Sequence, residues 1–523
     1  MDDPSKSRAE PLLPEPENGL VAATRRLRRK SNEDITTLYE ERPAETDDSL
    51  LKQMPAPAWQ RHGWPTKRMV LGLRACVIGL AGGAISACYH GVLESILEVA
   101  WKQSGPAVIG MLGLDAVPWL YIPMACVTFG TCTGLLIKCL GAPTANLPGV
   151  VLEVNRDGRL SNDVHLMLPI SITSIMAAGS LGPEAPLISI GGGLASSYAL
   201  WCRLNAAEAL TITMCGMGAG LAAFFGDPVG GALFACEVLH RNGLEYFEAL
   251  IPTVTAGLAS NFAFRTLLGI ESNPVIWHFP LEKAPVIPDS PPAVHAFALL
   301  VVHAPGLTFG CMGAAIAVLW MIGFNRAKRM LEPYAKHHLT KAVVGSVLIG
   351  LIGALAPCVL FWGEQEAQWH IDGSVELSHV WPQTGLTGSN LHELGAAGVL
   401  GAALLKLLAI AITILAGYRG GFIFPFMNAG IGIGAAIAAA APPGTVSLGA
   451  AALALAAAMN TAVTRTVVAT PLVLTSLTGR VDLFPTILTA SIVSLHLSSH
   501  VAVITCAQPR GGLADNESPE RRF

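Results

Sequence analysis

Apolar runs dominate the chain from Met69 to about residue 507, whereas the stretches before and after are polar. The first run extends from Met69 to about Val99. Others follow at roughly 117–140, 164–178, 186–203, 208–224, 228–240 and 247–268. A connector over 271–293 carries Pro274, Pro280, Pro285, Pro288, Pro291 and Pro292. A second set then runs at roughly 294–324, 341–362, 395–417, 425–442, 447–459, 465–478 and 483–505. A helix needs about 20 apolar residues to cross a bilayer core. Several runs are shorter than that and are divided by Gly/Pro clusters, not by polar loops. Short, interrupted helices at matching places in two halves are the pattern of inverted-repeat transporters with a midplane site. The pattern predicts an all-α polytopic membrane protein built from tilted and broken helices, in two inverted-topology halves of about 69–268 and 294–507.

The halves align directly. Gly182-Pro183-Glu184-Ala185-Pro186 is followed by Gly191-Gly192-Gly193, and 239 residues later Gly421-Phe422-Ile423-Phe424-Pro425 is followed by Gly430-Ile431-Gly432. One spacing superimposes the leading glycine, the proline and both outer glycines of the Gly-x-Gly, which points to an internal repeat.

Composition sharpens this picture. Of 523 residues 52% are hydrophobic and 13% charged, with a mean hydropathy of +0.51; soluble domains carry about twice that charged share. The 54 glycines suit helices that approach closely in lipid. A net charge of −4 gives no basic face for a nucleic acid. The one basic cluster, Arg25-Arg26-Leu27-Arg28-Arg29-Lys30, reads as a solvated or headgroup-facing segment. Residues 1–68 read as a disordered cytosolic region with an acidic start and no secretory signal. Lys67 and Arg68 before the first run place the N-terminus in the cytosol. Glu10-Pro11-Leu12-Leu13 matches an acidic dileucine sorting pattern and Arg28-Arg29-Lys30-Ser31 a basophilic kinase site, both short matches that arise often by chance. Plasma membrane, vacuolar or endosomal membrane and plastid membrane all stay open.

The 11 cysteines lie mostly in apolar runs (Cys76, Cys126, Cys132, Cys139, Cys202, Cys215, Cys236) and read as small buried hydrophobes. None forms a C-x-x-C pair and no His/Cys spacing suits zinc, so neither metal nor cofactor is expected. An enzyme is not expected either: His392-Glu393-Leu394-Gly395 stops short of a second histidine, and there is no G-x-S-x-G elbow or Walker A loop.

The candidate chemistry lies at three helix starts: Asn146-Leu147-Pro148-Gly149, Gly182-Pro183-Glu184-Ala185-Pro186 and Gly421-Phe422-Ile423-Phe424-Pro425. A glycine-rich turn with proline just inside a helix leaves backbone N–H groups unpaired. With the helix dipole behind them they bind an anion without a cationic side chain, loosely enough for an ion to leave again. Glu184 is the odd residue, a carboxylate within an apolar stretch. When ionised it mimics an anion and can occupy such a site; when protonated or displaced it vacates it. The bland reading, a carboxylate that stabilises a helix start, stands beside this one.

These motifs resemble the chloride channel and chloride/proton exchanger (CLC) family over about residues 69–507. Its gating motif, Gly-Lys/Arg-Glu-Gly-Pro followed by Ile-Gly, is similar to Gly182-Pro183-Glu184-Ala185-Pro186 with Ile190-Gly191-Gly192. Its Gly-x-Phe-x-Pro motif is similar to Gly421 to Pro425, and its Gly-Ser-Gly-Ile-Pro motif, less closely, to Thr144-Ala145-Asn146-Leu147-Pro148. The stretch Phe225 to Glu237 resembles the family's Pro-x-x-Gly-x-x-Phe-x-x-Glu helix.

The resemblance implies that Glu184 is the gating glutamate and that the amides of Phe422 and Ile423 line a central anion site. The chain departs from the pattern at Ala145 (the family's serine), at Ile423 (its phenylalanine) and at Pro183 (its basic residue). His500 stands near the place of its central tyrosine. The second, inward-facing glutamate of the exchangers falls on Val238, with Glu237 beside it as the other proton-pathway candidate. A valine carries no proton, so the resemblance implies a chloride channel with a glutamate gate, the alternatives being a chloride/proton antiporter or another inverted-repeat transporter of nitrate or sulfate. It also implies a homodimer with one anion pathway per subunit, with contacts on helices such as that after Pro228. Residues 508–523 are too few for the cytosolic CBS domains of many eukaryotic relatives, so regulation through them is not expected.

Overall fold

The computed structural model describes residues 64–501 apart from 142–146, 161–163, 240–243, 272–274, 281–291, 374–375, 387 and 389–390. The expected N-terminal region, with its sorting and kinase motifs, lies outside the described residues except for its end, which opens the first helix; the tail 508–523 lies outside them too. Among the described residues every regular element is a helix, and seven stretches are long and apolar enough to cross a membrane.

Helix α1 (Trp64–Leu97) runs through a π-helical turn, Glu98–Gln103, into α2 (Ser104–Met111). The first apolar run thus continues past Val99 where a break was expected. The wide turn aims Trp101 inward, where it is fully buried and its indole donates to the Met176 carbonyl (2.9 Å). Next come α3 (Tyr121–Leu140), α4 (Leu147–Asp157) and α5 (Val164–Met176), then α6 (Glu184–Trp201), α7 (Ala206–Phe225), α8 (Pro228–Val238) and α9 (Leu244–Leu268). The second half holds α10 (Pro292–Leu331), α11 (His338–Leu355), α12 (Glu366–Asp372) and α13 (Ala396–Leu415), then α14 (Ile423–Ala440), α15 (Leu448–Thr464), α16 (Ala469–Thr478) and α17 (Phe484–Leu497). The run expected over 341–362 stops at Leu355 because Pro357, without an N–H, opens a 3-10 turn, Pro357–Val359.

Four consecutive helices recur in both halves. α6, α7, α8 and α9 correspond to α14, α15, α16 and α17, and α6 matches α14 end to end at the 239-residue spacing. The packing recurs as well: α7 lies against α6, α8 and α9, as α15 does against α14, α16 and α17. Glycine is required at the crossings. A Cβ at Gly191 would lie 2.1 Å from the Gly216 carbonyl oxygen, and one at its counterpart Gly430 would lie 2.4 Å from Ala456 Cα. The repeat seen in sequence is therefore a repeat of backbone contact, the small-residue packing that lipid favours.

The central α7 and α14 are buried along most of their length, whereas α1, α9, α10, α11 and α13 turn Leu73, Phe262, Leu319, Leu351 and Leu408 outward. That apolar exterior suits lipid contact. One expectation changes here. Cys126, Cys215 and Cys236 are buried, but Cys132 and Cys139 are exposed, and Cys76 and Cys202 are partly so, on faces that water exclusion within the chain does not reach. α8 is buried within its own chain from Gly230 to Val238, packed on α7, α9 and α16, while Val229 at its start is exposed.

The crossings predict that Gly191→Val and Gly430→Val each destabilise the protein by about 1–3 kcal/mol, since neither backbone neighbour can yield. Gly401→Ala, with nothing within 4 Å of the new methyl, leaves thermal unfolding in detergent unchanged or slightly delayed.

Candidate functional site

The two repeat motifs meet. Gly182 N–H donates to the Gly421 carbonyl and Gly421 N–H to the Gly182 carbonyl, both at 2.7 Å, an isolated antiparallel pair. It brings the starts of α6 and α14 together in the protein interior. Neither start has a side-chain cap, the N-cap residues being Pro183 and Phe422. Other starts are capped: Asn205 receives Glu208 N–H (2.9 Å), Asp227 receives Val229 and Gly230 N–H (3.0 and 2.9 Å), and Ser447 receives Ala450 N–H (3.1 Å). Uncapped and brought together in the interior, these two starts leave helix amides available to an anion.

Glu184, fully buried, is the first residue of α6. Its Oε1 accepts the Phe424 N–H at 3.0 Å, and its Oε2 has no hydrogen-bond partner. The carboxylate of one half therefore rests on the helix start of the other. The flanking glycines make room for it: a Cβ at Gly182 would lie 2.2 Å from Oε2 and one at Gly421 2.3 Å from it. The amide that meets the carboxylate is Phe424's, next to those of Phe422 and Ile423 that the resemblance gives to a central anion site, and the Gly182–Gly421 pair sets the register of the two turns. Phe422 and Ile423 are buried around it, as are Ala185 and Pro186 in the first turn of α6 and Pro425 in that of α14.

Around Phe424 is an aromatic shell that the sequence pattern did not reveal. Its ring meets Phe224, Phe225 and Trp277 edge-on at centroid distances of 5.4, 5.7 and 6.1 Å. Phe224 and Phe225 also line a cavity of about 680 Å³, together with His90, Glu94, Glu364 and His379. His379 Nδ1 lies 3.7 Å from Glu94 Oε2. The Glu364 carboxylate accepts the Trp362 indole N–H (2.9 Å), and its backbone carbonyl accepts that of Trp277 (2.6 Å). Burial raises the Glu364 carboxyl to about 8; the Trp362 N–H opposes this and the nearby Glu184 charge adds to it. The clue in the sequence was the pair Phe224-Phe225 at the glycine-terminated end of α7.

The remaining candidates lie elsewhere. Leu147 is buried and opens α4 with the half-buried Pro148, while Ala145 and Asn146 lie outside the described residues. His500 is exposed on the turn after α17. Glu237, expected as a proton-pathway candidate, is a cap: it accepts Val468 N–H at 3.1 and 3.2 Å through its two oxygens and Ala469 N–H at 3.1 Å, at the start of α16. Val238 is the buried last residue of α8.

The voltage gated chloride channel family model matches residues 129–499, a span that includes both turns. The chain belongs to that family. A chloride/fluoride channel protein of Pseudomonas syringae pv. tomato is 26% identical over 374 residues, covering 68% of this chain and 75% of that protein. Chloride channel protein CLC-f of Arabidopsis thaliana is 25% identical over 407 residues, 74% of this chain but 46% of that longer protein. Among solved structures, a CLC-type fluoride/proton antiporter superimposes with a TM-score of 0.63 at 20% identity, covering 86% of this chain and 100% of that one. A cyanobacterial Cl−/H+ antiporter gives 0.62 at 18% identity, covering 82% and 94%. The CLC fold, all-α with two inverted-topology halves, is thus the fold of this multi-pass membrane protein.

If Glu237 is a cap, Glu237→Ala costs about 2–3 kcal/mol of stability, the range for hydrogen bonds to a charged group. Glu237→Gln recovers part of this, and anion flux per folded molecule is unchanged in both. Thermal unfolding and liposome flux on the same preparations check the pair.

Proposed function

We propose that this CLC protein conducts a small anion along a path that crosses the start of α14, and that the Glu184 carboxylate gates it by occupying that place. The observation behind this reading is the Phe424 N–H to Glu184 Oε1 hydrogen bond at the meeting of two uncapped helix starts. A charge-assisted hydrogen bond of this kind is worth about 1.5–3 kcal/mol, and the dipole of α14 adds a few tenths more. That is enough to hold an ionised carboxylate in place and little enough for a permeant anion to displace it. Protonation removes the charge that holds it, so flux rises as pH falls. Pro183 to Pro186, and Gly421 to Pro425, form the walls. Chloride is the expected substrate, and the relatives named for fluoride make fluoride the second anion to test.

Passive conduction is the first reading, because Val238 is apolar and Glu237 is committed to three amide contacts. Proton-coupled exchange is the second: the cavity lined by Glu94, His379 and Glu364 would give protons a wet approach toward Phe424 and Glu184. A homodimer is also proposed, on family membership, and mass photometry of nanodisc-embedded protein would show twice the monomer mass.

Three outcomes are expected. Glu184→Gln, a neutral mimic of the protonated gate, gives higher anion efflux at pH 7 and a flat pH profile; a profile as steep as the parent's would contradict the gate. Glu364→Gln leaves efflux at pH 7 nearly unchanged, since its carboxyl, raised to about 8, is already mostly neutral there, and alters the profile only above pH 8. Finally, proteoliposomes under a chloride gradient, with external pH recorded with and without a proton ionophore, separate the two mechanisms. Flux without proton movement supports a channel, whereas uphill proton movement establishes exchange.

A further inference from the structure

Lys406 lies mid-way along α13 and is fully buried. Its ammonium donates to three successive carbonyls, Val359 (3.0 Å), Leu360 (3.2 Å) and Phe361 (2.8 Å). That clasp accounts for the φ of +55° at Phe361, a left-handed conformation that a bulky residue avoids without such support. The clasped segment backs onto the Glu184 turn: Phe361 N–H donates to the Ala178 carbonyl (3.3 Å), and Ser180 N–H to Thr413 Oγ1, two turns beyond Lys406 on α13 (3.1 Å). On its other side Lys406 reaches α14. A Cβ at Gly363 would lie 2.9 Å from the ammonium and 2.8 Å from Asn428 Nδ2, and Asn428 stands four residues after Phe424 and donates to the Gly363 carbonyl (2.9 Å). The cation thus holds the segment that links the turn carrying Glu184, through Ala178, to α14, through Asn428.

Burying an ammonium costs several kcal/mol unless negative charge offsets it. Carbonyl dipoles supply part, but among the described residues Lys406 has no ion-pair partner. The titratable groups around the pair are Tyr89 on α1, Cys358 in the 3-10 turn, Glu364, and Glu366 and His370 on α12. Of the carboxylates, Glu366 and Glu184 act through space on Lys406. Glu366 is held by Ser378 N–H and Oγ at 3.3 and 3.1 Å, so it is fixed; Glu184 has a single hydrogen bond from a backbone amide.

We infer that Lys406 is the fixed positive charge of the anion site, a positioning residue that strengthens binding at the Phe424 amide for the Glu184 carboxylate and for a permeant anion alike without touching either. This rests on the reading of Glu184 as gate. It makes Lys406 a determinant both of anion affinity and of the pH at which the gate opens.

The test compares Lys406→Met, Lys406→Arg and Glu366→Gln with the parent, by calorimetric titration with chloride and fluoride and by the pH profile of liposome efflux. Lys406→Met is expected to bind anions about tenfold more weakly and to move the half-activation pH up by about one unit, the scale of one charge acting through protein. Lys406→Arg retains the parent's midpoint. Glu366→Gln, which removes an opposing charge, moves both readouts the other way. In a Glu184→Gln background the midpoint shift disappears and the affinity loss persists. Folded Lys406→Met protein with lower thermal stability but unchanged affinity and midpoint would reduce Lys406 to packing and overturn the inference. If that variant does not fold, Glu366→Gln decides: no shift, or a shift in the same direction as charge loss at Lys406 predicts, overturns it. A parent that binds no anion, or whose efflux ignores pH, refutes instead the gate reading beneath it.

Discussion

Everything at the site depends on two helix starts held tip to tip without caps. In water an uncapped start is a small loss, because solvent satisfies the amides; inside a protein the same amides must find an acceptor. The Gly182–Gly421 pair fixes that confrontation and forces the acceptor to be shared between halves. Glu184, launched from one start, is the nearest carboxylate to the other, and the glycines beside it clear the volume it fills. The repeat is the reason two such starts exist, and the close crossings at Gly191 and Gly430 keep both helices aimed at the same place.

The chain uses the pairing of carboxylate and helix start twice, with different outcomes. Glu237 meets α16 through both oxygens and three contacts, which makes it a strut. Glu184 meets α14 through one oxygen and one contact, with its second oxygen unpartnered. The number of amides engaged, more than the residue type, distinguishes a carboxylate that can leave from one that cannot. The proposed gate follows from that difference, and the cation at Lys406 would tilt the balance without blocking the place.

Much of this was legible in the sequence, for physical reasons that can be named. The repeat was visible because backbone contact allows only glycine at fixed positions, and Glu184 because a lone carboxylate in an apolar run is costly. The short helix α12 was missed because Glu366 and Asp372 break its hydropathy, whereas only the start of α4 was legible, because Glu153 and Arg156 interrupt the rest. The capping contacts of Glu237 were hidden because its partners, Val468 and Ala469, lie some 230 residues away and only the fold brings them to it. The amide that donates to Glu184 is Phe424's, next to Phe422 and Ile423, and only the pairing at Gly421 brings it to the carboxylate. Lys406 could have been found by the reasoning that found Glu184: it is the one charged residue in Ala396–Leu415.

The most direct test of the central claim is the proton stoichiometry of anion binding. If the carboxylate and the anion compete for the start of α14, binding an anion should release Glu184 from it and draw up a proton. Titration in buffers of differing ionisation enthalpy should then show uptake approaching one proton per anion near neutral pH, and none after Glu184→Gln. Anion binding with no proton uptake in the parent, or equal uptake in both proteins, would show that the carboxylate and the anion do not share one place.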